Sequence, residues 1–348
     1  MTTIDSDAHV IECDETWDHL TAGERKFVQK VTVHDPEGND RRGWVIDGRL
    51  RMASGGVIDE EAMTSAVREM SDVEGRLRQM DEIGTDIQVL YPTVFLSPLT
   101  SNPAVELALC RSWNRWLADR VAKSGGRLSW VVVPPTMNIE ASIEEIRFGH
   151  EHGAGGVFWR GFENGMLPND PYFAPILEEM DHLGMAMCIH AANGTPELHN
   201  SFPSDTGIWR FKIPGITAFH AILSSQLSTR YPNIRFGFIE LQAQWVPYVL
   251  KDYIRRGENG DRRHARQVDP KSIMAEHRLY VACQSDDDLA YILSYAGPDN
   301  LLAGTDFGHA DTSSELLALQ RLRATPDVDS QALDNLLDAN PRALYQFG

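Results

Sequence analysis

Residues 4–12 read IDSDAHVIE, a short strand-like run that carries two metal-binding residue types, Asp7 and His9, at its end. The arrangement returns at MAMCIH (185–190), which ends on His190, and at NLLAGTDFGHAD (300–311), where Asp306 follows the apolar run. In a parallel α/β barrel the C-terminal ends of the strands converge on one mouth, where side chains distant in sequence meet. Runs that each end on such a residue predict that architecture, a metal site at its mouth, and an enzyme.

Working outward, the other strand-like runs are IQVLYP from Ile87, LSWVVV from Leu128, GGVFWR from Gly155, IRFGFIE from Ile234 and RLYVAC from Arg278, which brings the count to eight. Segments of helical period separate them near 65–84, 103–123, 139–152, 172–183, 216–230, 243–256 and 286–296, with a last one near 331–346. Alternation of this kind is the signature of repeated βα units. Gly84 reads as the stop of the first helix, Asp170 and Pro171 as the start of the fourth and Pro232 as the stop of the fifth.

The chain has 348 residues, more than the roughly 250 of a plain barrel, which fits one barrel over 1–348 with insertions. Residues 15–64 hold FVQKVTV and RRGWVIDG around the turn-rich DPEGND, a hairpin pattern. Residues 191–215 form a polar, Gly- and Pro-containing loop after the fifth strand. Both leave strand ends, where long insertions serve as lids or specificity loops.

Hydrophobic residues make up 42% of the chain, enough for a large core. Thirty-two basic against 50 acidic residues give a formal charge of −18, which argues against nucleic acid and anionic membranes as partners. Cys13, Cys110, Cys188 and Cys283 are scattered, with no CxxC pair, so reduced thiols are expected. MTTIDSDAHVIE has no basic leader followed by an apolar stretch, and no apolar run approaches the roughly 20 residues of a membrane span, so a cytoplasmic protein is expected. Neither a GxxxxGK[ST] loop, a GxSxG elbow nor a strand-linked GxGxxG occurs.

Asp7 and His9 are two apart on a strand and so share a face. A carboxylate with an imidazole suits Zn²⁺ first, with Mn²⁺ or Fe²⁺ as alternatives. Glu12, three residues past His9, reads either as a further ligand or as an acceptor behind the imidazole, or else as a solvated loop acid. Glu240, ending IRFGFIE, suits proton transfer in a partly dry site or a structural role on loop amides. His309, three after Asp306, fits the pocket lining or a hydrogen bond to a carboxylate. Arg160, ending GGVFWR, presents a guanidinium for a substrate carboxylate, or an ion pair with Glu163. Tyr91, Phe95, Trp159 and Trp209 are candidates for an aromatic wall.

In DSDAHVIE, MCIH, STRYPNIRFGFIELQAQWVP (228–247) and NLLAGTDFGHAD, the chain resembles the metal-dependent amidohydrolase superfamily, in the branch related to aminocarboxymuconate semialdehyde decarboxylase. The resemblance spans nearly the whole chain and includes an SDxPH-like sequence at the eighth strand. It implies a distorted (β/α)₈ TIM barrel holding one divalent metal ion through Asp7, His9, His190 and Asp306. It also implies a homodimer, and a pocket histidine in the region of His220, within ITAFHAILSSQL. Two positions depart from the pattern: many relatives carry HxH or ExH where this chain has DxH, and decarboxylating relatives carry a histidine where it has Glu240.

The expected activity is non-oxidative decarboxylation of a small aromatic or unsaturated carboxylic acid, with Asp306, Glu240 or His220 moving the proton and Arg160 orienting the carboxylate. The alternative is hydrolysis of an amide, ester, lactone or activated carbon–carbon bond, with Asp306 taking a proton from a metal-bound water.

Overall fold

The computed structural model describes residues 2–34, 38, 40–53, 63–195, 207–257, 268–310, 314–326 and 328–347. Every strand-like run forms a strand: β1 (Ile4–His9), β5 (Ile87–Tyr91), β6 (Leu128–Val132), β7 (Ala154–Trp159), β8 (Ala186–His190), β9 (Phe236–Ile239), β10 (Leu279–Cys283) and β11 (Leu301–Ala303), counting three strands of the insertion as β2 to β4. The eight form one parallel sheet in the order β1-β5-β6-β7-β8-β9-β10-β11. Val, Ile, Leu, Phe and Ala dominate them and both faces are covered, as a parallel sheet wrapped by helices requires.

The sheet is nearly a closed barrel. β1 meets the residues just after β11: Ala8 bridges Phe307, the Asp306 N–H donates to Asp7 O at 2.9 Å and the His9 N–H to Phe307 O at 2.6 Å. The two ligand-bearing segments are thus stitched together by main chain.

Helices follow the strands in alternation. Their starts show ordinary side-chain caps: Asn102 accepts from Ala104 N, Asn138 from Ala141 N, Asp170 from Tyr172 N and Asp288 from Tyr291 N. Gly84 stops the Val73–Glu82 helix with φ +70°. The segment expected as one helix over 331–346 is divided into Ser330–Asp334, a π-turn at Asn335–Ala339 and Asn340–Tyr345, with Pro341 at the start of the last. Pro270–Glu276 and Ala318–Arg323 are helices that the periodicity did not single out, each too short to show a face repeatedly.

The insertion over 15–64 carries the hairpin and one strand more. β2 (Val28–His34) and β3 (Asp40–Ile46) pair antiparallel, and β4 (Arg49–Met52) returns on β3 through Asp47-Gly48, both at positive φ, as a two-residue hairpin turn demands. This sheet is clipped to the loop after β5: Arg51 Nη2 donates to Pro98 O at 2.7 Å and Thr100 Oγ1 to Asp47 Oδ2 at 2.8 Å. Of the loop expected over 191–215, residues 196–206 lie outside the described ones, and Ile208–Lys212 is a π-turn leading into the Ile213–Ser224 helix. No helix among the described residues is long and apolar enough to cross a membrane.

Candidate metal centre

Asp5, Asp7 and His9 all lie buried on β1. Against β5 the register slips between Asp5 and Ala8, a bulge that gives β1 one residue more than its partner over this stretch. Such bulges re-aim side chains beside sites. Opposite β1, His190 ends β8, Glu240 follows β9 and Asp306 follows β11. Both acids have left-handed backbones, φ +59° for Glu240 and +52° for Asp306, a conformation that non-glycine residues keep where the surroundings enforce it.

One ligand atom from each of Asp7, His9, His190 and Glu240 lies within 4.8 Å of all the others, and the same holds for His9, Asp306 and His309. His9 Nε2 and His190 Nε2 are 3.1 Å apart, and Asp7 Oδ1 stands 3.1 Å from the latter and 3.4 Å from the former. Asp306 Oδ1 is 3.5 Å from His9 Nε2. Asp7, His9 and His190 of the sequence-predicted quartet thus share one group with Glu240, and Asp306 reaches it through His9.

The donor set fits a divalent cation. Each imidazole turns its Nδ1 to a main-chain carbonyl, His9 to Pro92 O at 3.0 Å and His190 to Ala191 O at 3.0 Å. With the protons there, both Nε2 lone pairs point at each other and at carboxylate oxygens, an arrangement that repels unless a positive charge stands between them. Donors bound at about 2.1 Å around a tetrahedral ion stand roughly 3.4 Å from one another, close to the separations seen. Burial, above all, pushes His9 down to about 3, so it is a neutral ligand. His190 is drawn the other way: burial opposes it, but Asp7 and Glu240 carry it above the ordinary imidazole range, a sign of the excess negative charge there. Burial and the charge of Asp306 push Glu240 up to about 8.

Two glycines keep the space open. A Cβ on Gly304 would lie 2.2 Å from Asp7 Cβ, and one on Gly308, at φ +105°, 2.8 Å from His9 O. The spacing of GTDFGH thus serves the close approach of β1 and the turn after β11.

His309 Nδ1 is 2.8 Å from Asp306 Oδ1 and its Nε2 2.9 Å from Thr93 Oγ1, which in turn donates to Val10 O at 2.8 Å. Glu12 does not join the cluster. One of its oxygens accepts from Thr93 N at 3.1 Å and Trp113 Nε1 at 3.0 Å, the other from Val94 N at 3.0 Å, so it ties the loop after β5 to β1. His220 stands on the Ile213–Ser224 helix with its ring 6.4 Å from that of Tyr253, outside both ligand groups. Tyr91 is fully buried next to the cluster, 5.0 Å from the His190 ring, and its hydroxyl bonds that of Tyr345 at 2.8 Å. Trp159 packs on Phe173 at 4.9 Å, and Trp209 sits half-buried in the π-turn.

Arg160 is buried and engaged. It ion-pairs with Glu163 through Nη2, donates its own N–H to Glu163 Oε1 at 2.9 Å and Nη1 to Phe95 O at 3.2 Å. It lines a cavity of about 680 Å³ formed by the loops after β5, β6, β7 and β8, together with Phe95, Phe158, Glu106 and Arg49. Phe158 also comes within 6.3 Å of the His190 ring, so the cavity abuts the ligand cluster.

Sequence reasoning missed the layer beneath the ligands. Arg76 Nη1 donates to His9 O at 3.0 Å, its Nε to Gln88 Oε1 at 2.9 Å, and its guanidinium lies over the Phe307 ring at 4.4 Å. Gln88 Nε2 donates to Asp5 Oδ2 at 3.1 Å, and Asp5 also receives Thr305 N at 2.9 Å and Thr305 Oγ1 at 2.6 Å. The available signals were Asp5, in step with Asp7 and His9, and Arg76, at helical spacing from the apolar Val73 and Met80.

A family profile described as amidohydrolase matches residues 4–347, and the chain belongs to that family. It is 22% identical over 308 residues to a 2-amino-3-carboxymuconate-6-semialdehyde decarboxylase of Dictyostelium discoideum, covering 86% of this chain and 83% of that protein. Among solved structures it is similar to an amidohydrolase of Mycobacterium avium subsp. paratuberculosis, with a TM-score of 0.80 at 16% identity over 100% of this chain and 98% of that one. It is also similar to a 5-carboxyvanillate decarboxylase of Novosphingobium aromaticivorans, crystallised with manganese and a nitrobenzoic acid, with a TM-score of 0.73 at 14% identity over 99% and 97%.

Proposed function

We propose that this amidohydrolase-family protein is a metal-dependent non-oxidative decarboxylase of a small aromatic or unsaturated carboxylic acid. The observation that carries the reading is the convergence of Asp7, His9, His190 and Asp306 beside a cavity large enough for a ring. The decarboxylases among its relatives support it, and the structure crystallised with manganese supports a divalent ion at the centre.

Asp7, His9, His190 and Asp306 would hold the ion, with Zn²⁺ as first choice from the imidazole and carboxylate donors and Mn²⁺ or Fe²⁺ as alternatives. When bound, it supplies positive charge that orients the substrate's oxygens and offsets the negative charge developing as CO₂ departs. The chain's own residues then have a proton to deliver. As the bond to the carboxyl breaks, the electron pair stays on the substrate carbon and must take up a proton. Besides Asp7, the carboxyl groups at the cluster are Asp306 and Glu240, which we assign to this step; Asp306 is held in place through His309. Phe95 and Phe158 give the neighbouring cavity apolar walls against which a ring can pack.

Hydrolysis is the second reading, favoured by one feature: Glu240 stands where a histidine is expected of a decarboxylating relative. The deciding experiment is metal analysis of the purified protein followed by turnover of a panel of hydroxylated and unsaturated acids. One CO₂ released per acid consumed, with loss of activity on chelation, is expected. Cleavage to acid plus alcohol, amine or ketone with no CO₂ would replace the proposal by the hydrolytic one. Four cysteines, all free and buried, agree with a reducing compartment such as the cytoplasm.

A further inference from the structure

The cavity of about 680 Å³ next to the ligand cluster is lined by none of the candidate metal ligands. Its walls are largely apolar, with Phe95, Leu99, Leu109, Val133 and Phe158 among them. Within that lining sits one charged group of three: Arg160, Glu163 and Glu106. Arg160 and Glu163 are 7% and 1% exposed, so water screens them little. The guanidinium is already matched by Glu163, as described, and Thr136 Oγ1 leans on the same carboxylate at 3.4 Å. Glu106 is therefore a second carboxyl that shares the buried Arg160 cation with Glu163. One of its oxygens accepts the Met137 N–H at 2.8 Å and the Thr136 side chain also hydrogen-bonds to the group, which still leaves a carboxyl group capacity for a further hydrogen bond. Arg49, also on the lining, is exposed, and its charge is screened by solvent.

We infer that this cavity is a hydrogen-bonding subsite that seats the substrate's ring or unsaturated chain against Phe95 and Phe158, takes a hydroxyl substituent on Glu106, and disfavours a second carboxylate. The inference rests on the proposed decarboxylase reading and narrows it to monocarboxylic acids with a hydroxyl remote from the reacting carboxyl. A second carboxylate would meet two acids and a guanidinium that is already paired. A hydroxyl can donate to the carboxylate or accept from the carboxylic acid. Burial, the largest influence on Glu106, pushes it up to about 7, so both forms are accessible near neutrality.

The test is isothermal titration of the metal-loaded protein with benzoate, 3- and 4-hydroxybenzoate, isophthalate and terephthalate, with CO₂ release measured separately. At least one hydroxybenzoate is expected to bind about tenfold tighter than benzoate, the ratio of one charge-assisted hydrogen bond. Both dicarboxylates are expected to bind more weakly than benzoate. Glu106→Leu should erase the hydroxyl preference and Glu106→Gln should keep part of it, at unchanged metal content and circular dichroism. The idea is overturned if a dicarboxylate binds as tightly as the hydroxybenzoates, if Glu106→Leu keeps the full preference, or if no probe binds at millimolar concentration. Discrimination in binding without CO₂ from any acid would sink the decarboxylase reading and leave the subsite standing, whereas CO₂ release without discrimination would do the reverse.

Discussion

His309 lies on His9 with ring centroids 3.9 Å apart and 25° between the planes, while its own nitrogens reach Asp306 and Thr93. One side chain thus backs a candidate metal ligand from β1 and fixes another from the turn after β11. Replacing it by alanine is expected to lower metal affinity by about 10- to 100-fold, the usual cost of losing a group that orients a ligand. Competition with a chelator measures this directly, and an unchanged affinity would remove His309 from the centre.

Asp306→Asn keeps the shape of the side chain and takes away its charge and its ability to move a proton. We expect turnover to fall by about 10²- to 10⁴-fold with the fold intact. Full activity in this variant would end the assignment. Asp7→Ala is expected instead to lose the metal itself, read by elemental analysis.

Gly304→Ala places a methyl where Asp7 Cβ already stands. Either β1 or the turn must move, at a cost of about 1–3 kcal/mol, typical of overpacking. A lower midpoint of chemical denaturation together with reduced metal content is expected. A variant as stable and as metal-loaded as the parent would show that the close approach is not needed.

Arg76→Met removes the buried guanidinium that holds His9 O and covers Phe307, leaving Gln88 and the His9 carbonyl without their donor. Loss of about 2–4 kcal/mol of stability is expected, because the partners left behind are buried. Urea denaturation measures it.

Glu106 provides a pH test. Its ordinary value is near 4.5 and burial raises it to about 7 in the folded protein, so folding favours the protonated form. That stabilisation is fully present below about pH 4.5 and is lost as pH rises through 7. Arg160 and Glu163 face it from the turn after β7 and act on it in opposite directions, Arg160 favouring the ionised form and Glu163 the protonated one. The parent's stability relative to Glu106→Gln should therefore decline from pH 5 to pH 8, by an amount on the order of 1–3 kcal/mol. A flat difference would place the Glu106 proton elsewhere.

The barrel was legible because every strand but β1 is a largely apolar run, a pattern written directly in the residues, and because Asp7, His9, His190 and Asp306 stand at or just past the ends of such strands. What the sequence could not show was who pairs with whom. Glu12 reads as a ligand from its spacing, but its two oxygens are filled by amides and an indole from residues 93, 94 and 113. Arg160 reads either as a carboxylate clamp or as the partner of Glu163, and the ion pair is the one the structure forms. Glu106 was overlooked because it sits in an ordinary amphipathic helix, and only the packing of that helix against the turn after β7 makes it part of a cavity. The sheet of residues 28–52 was half-visible: FVQKVTV and RRGWVIDG announce its first two strands, whereas Asp47-Gly48, the turn to the third, lay inside what read as the end of a strand.

That small sheet hangs on the barrel by Arg51 and Asp47 and sends Arg49 to the edge of the cavity, yet it contributes nothing to the cluster of Asp7, His9, His190 and Asp306. The Arg49 edge of the cavity and the strand ends that carry the candidate metal ligands are therefore separate pieces of one polypeptide. Exchange or redesign of the appendage offers a way to reshape that edge without disturbing Asp7, His9, His190 or Asp306.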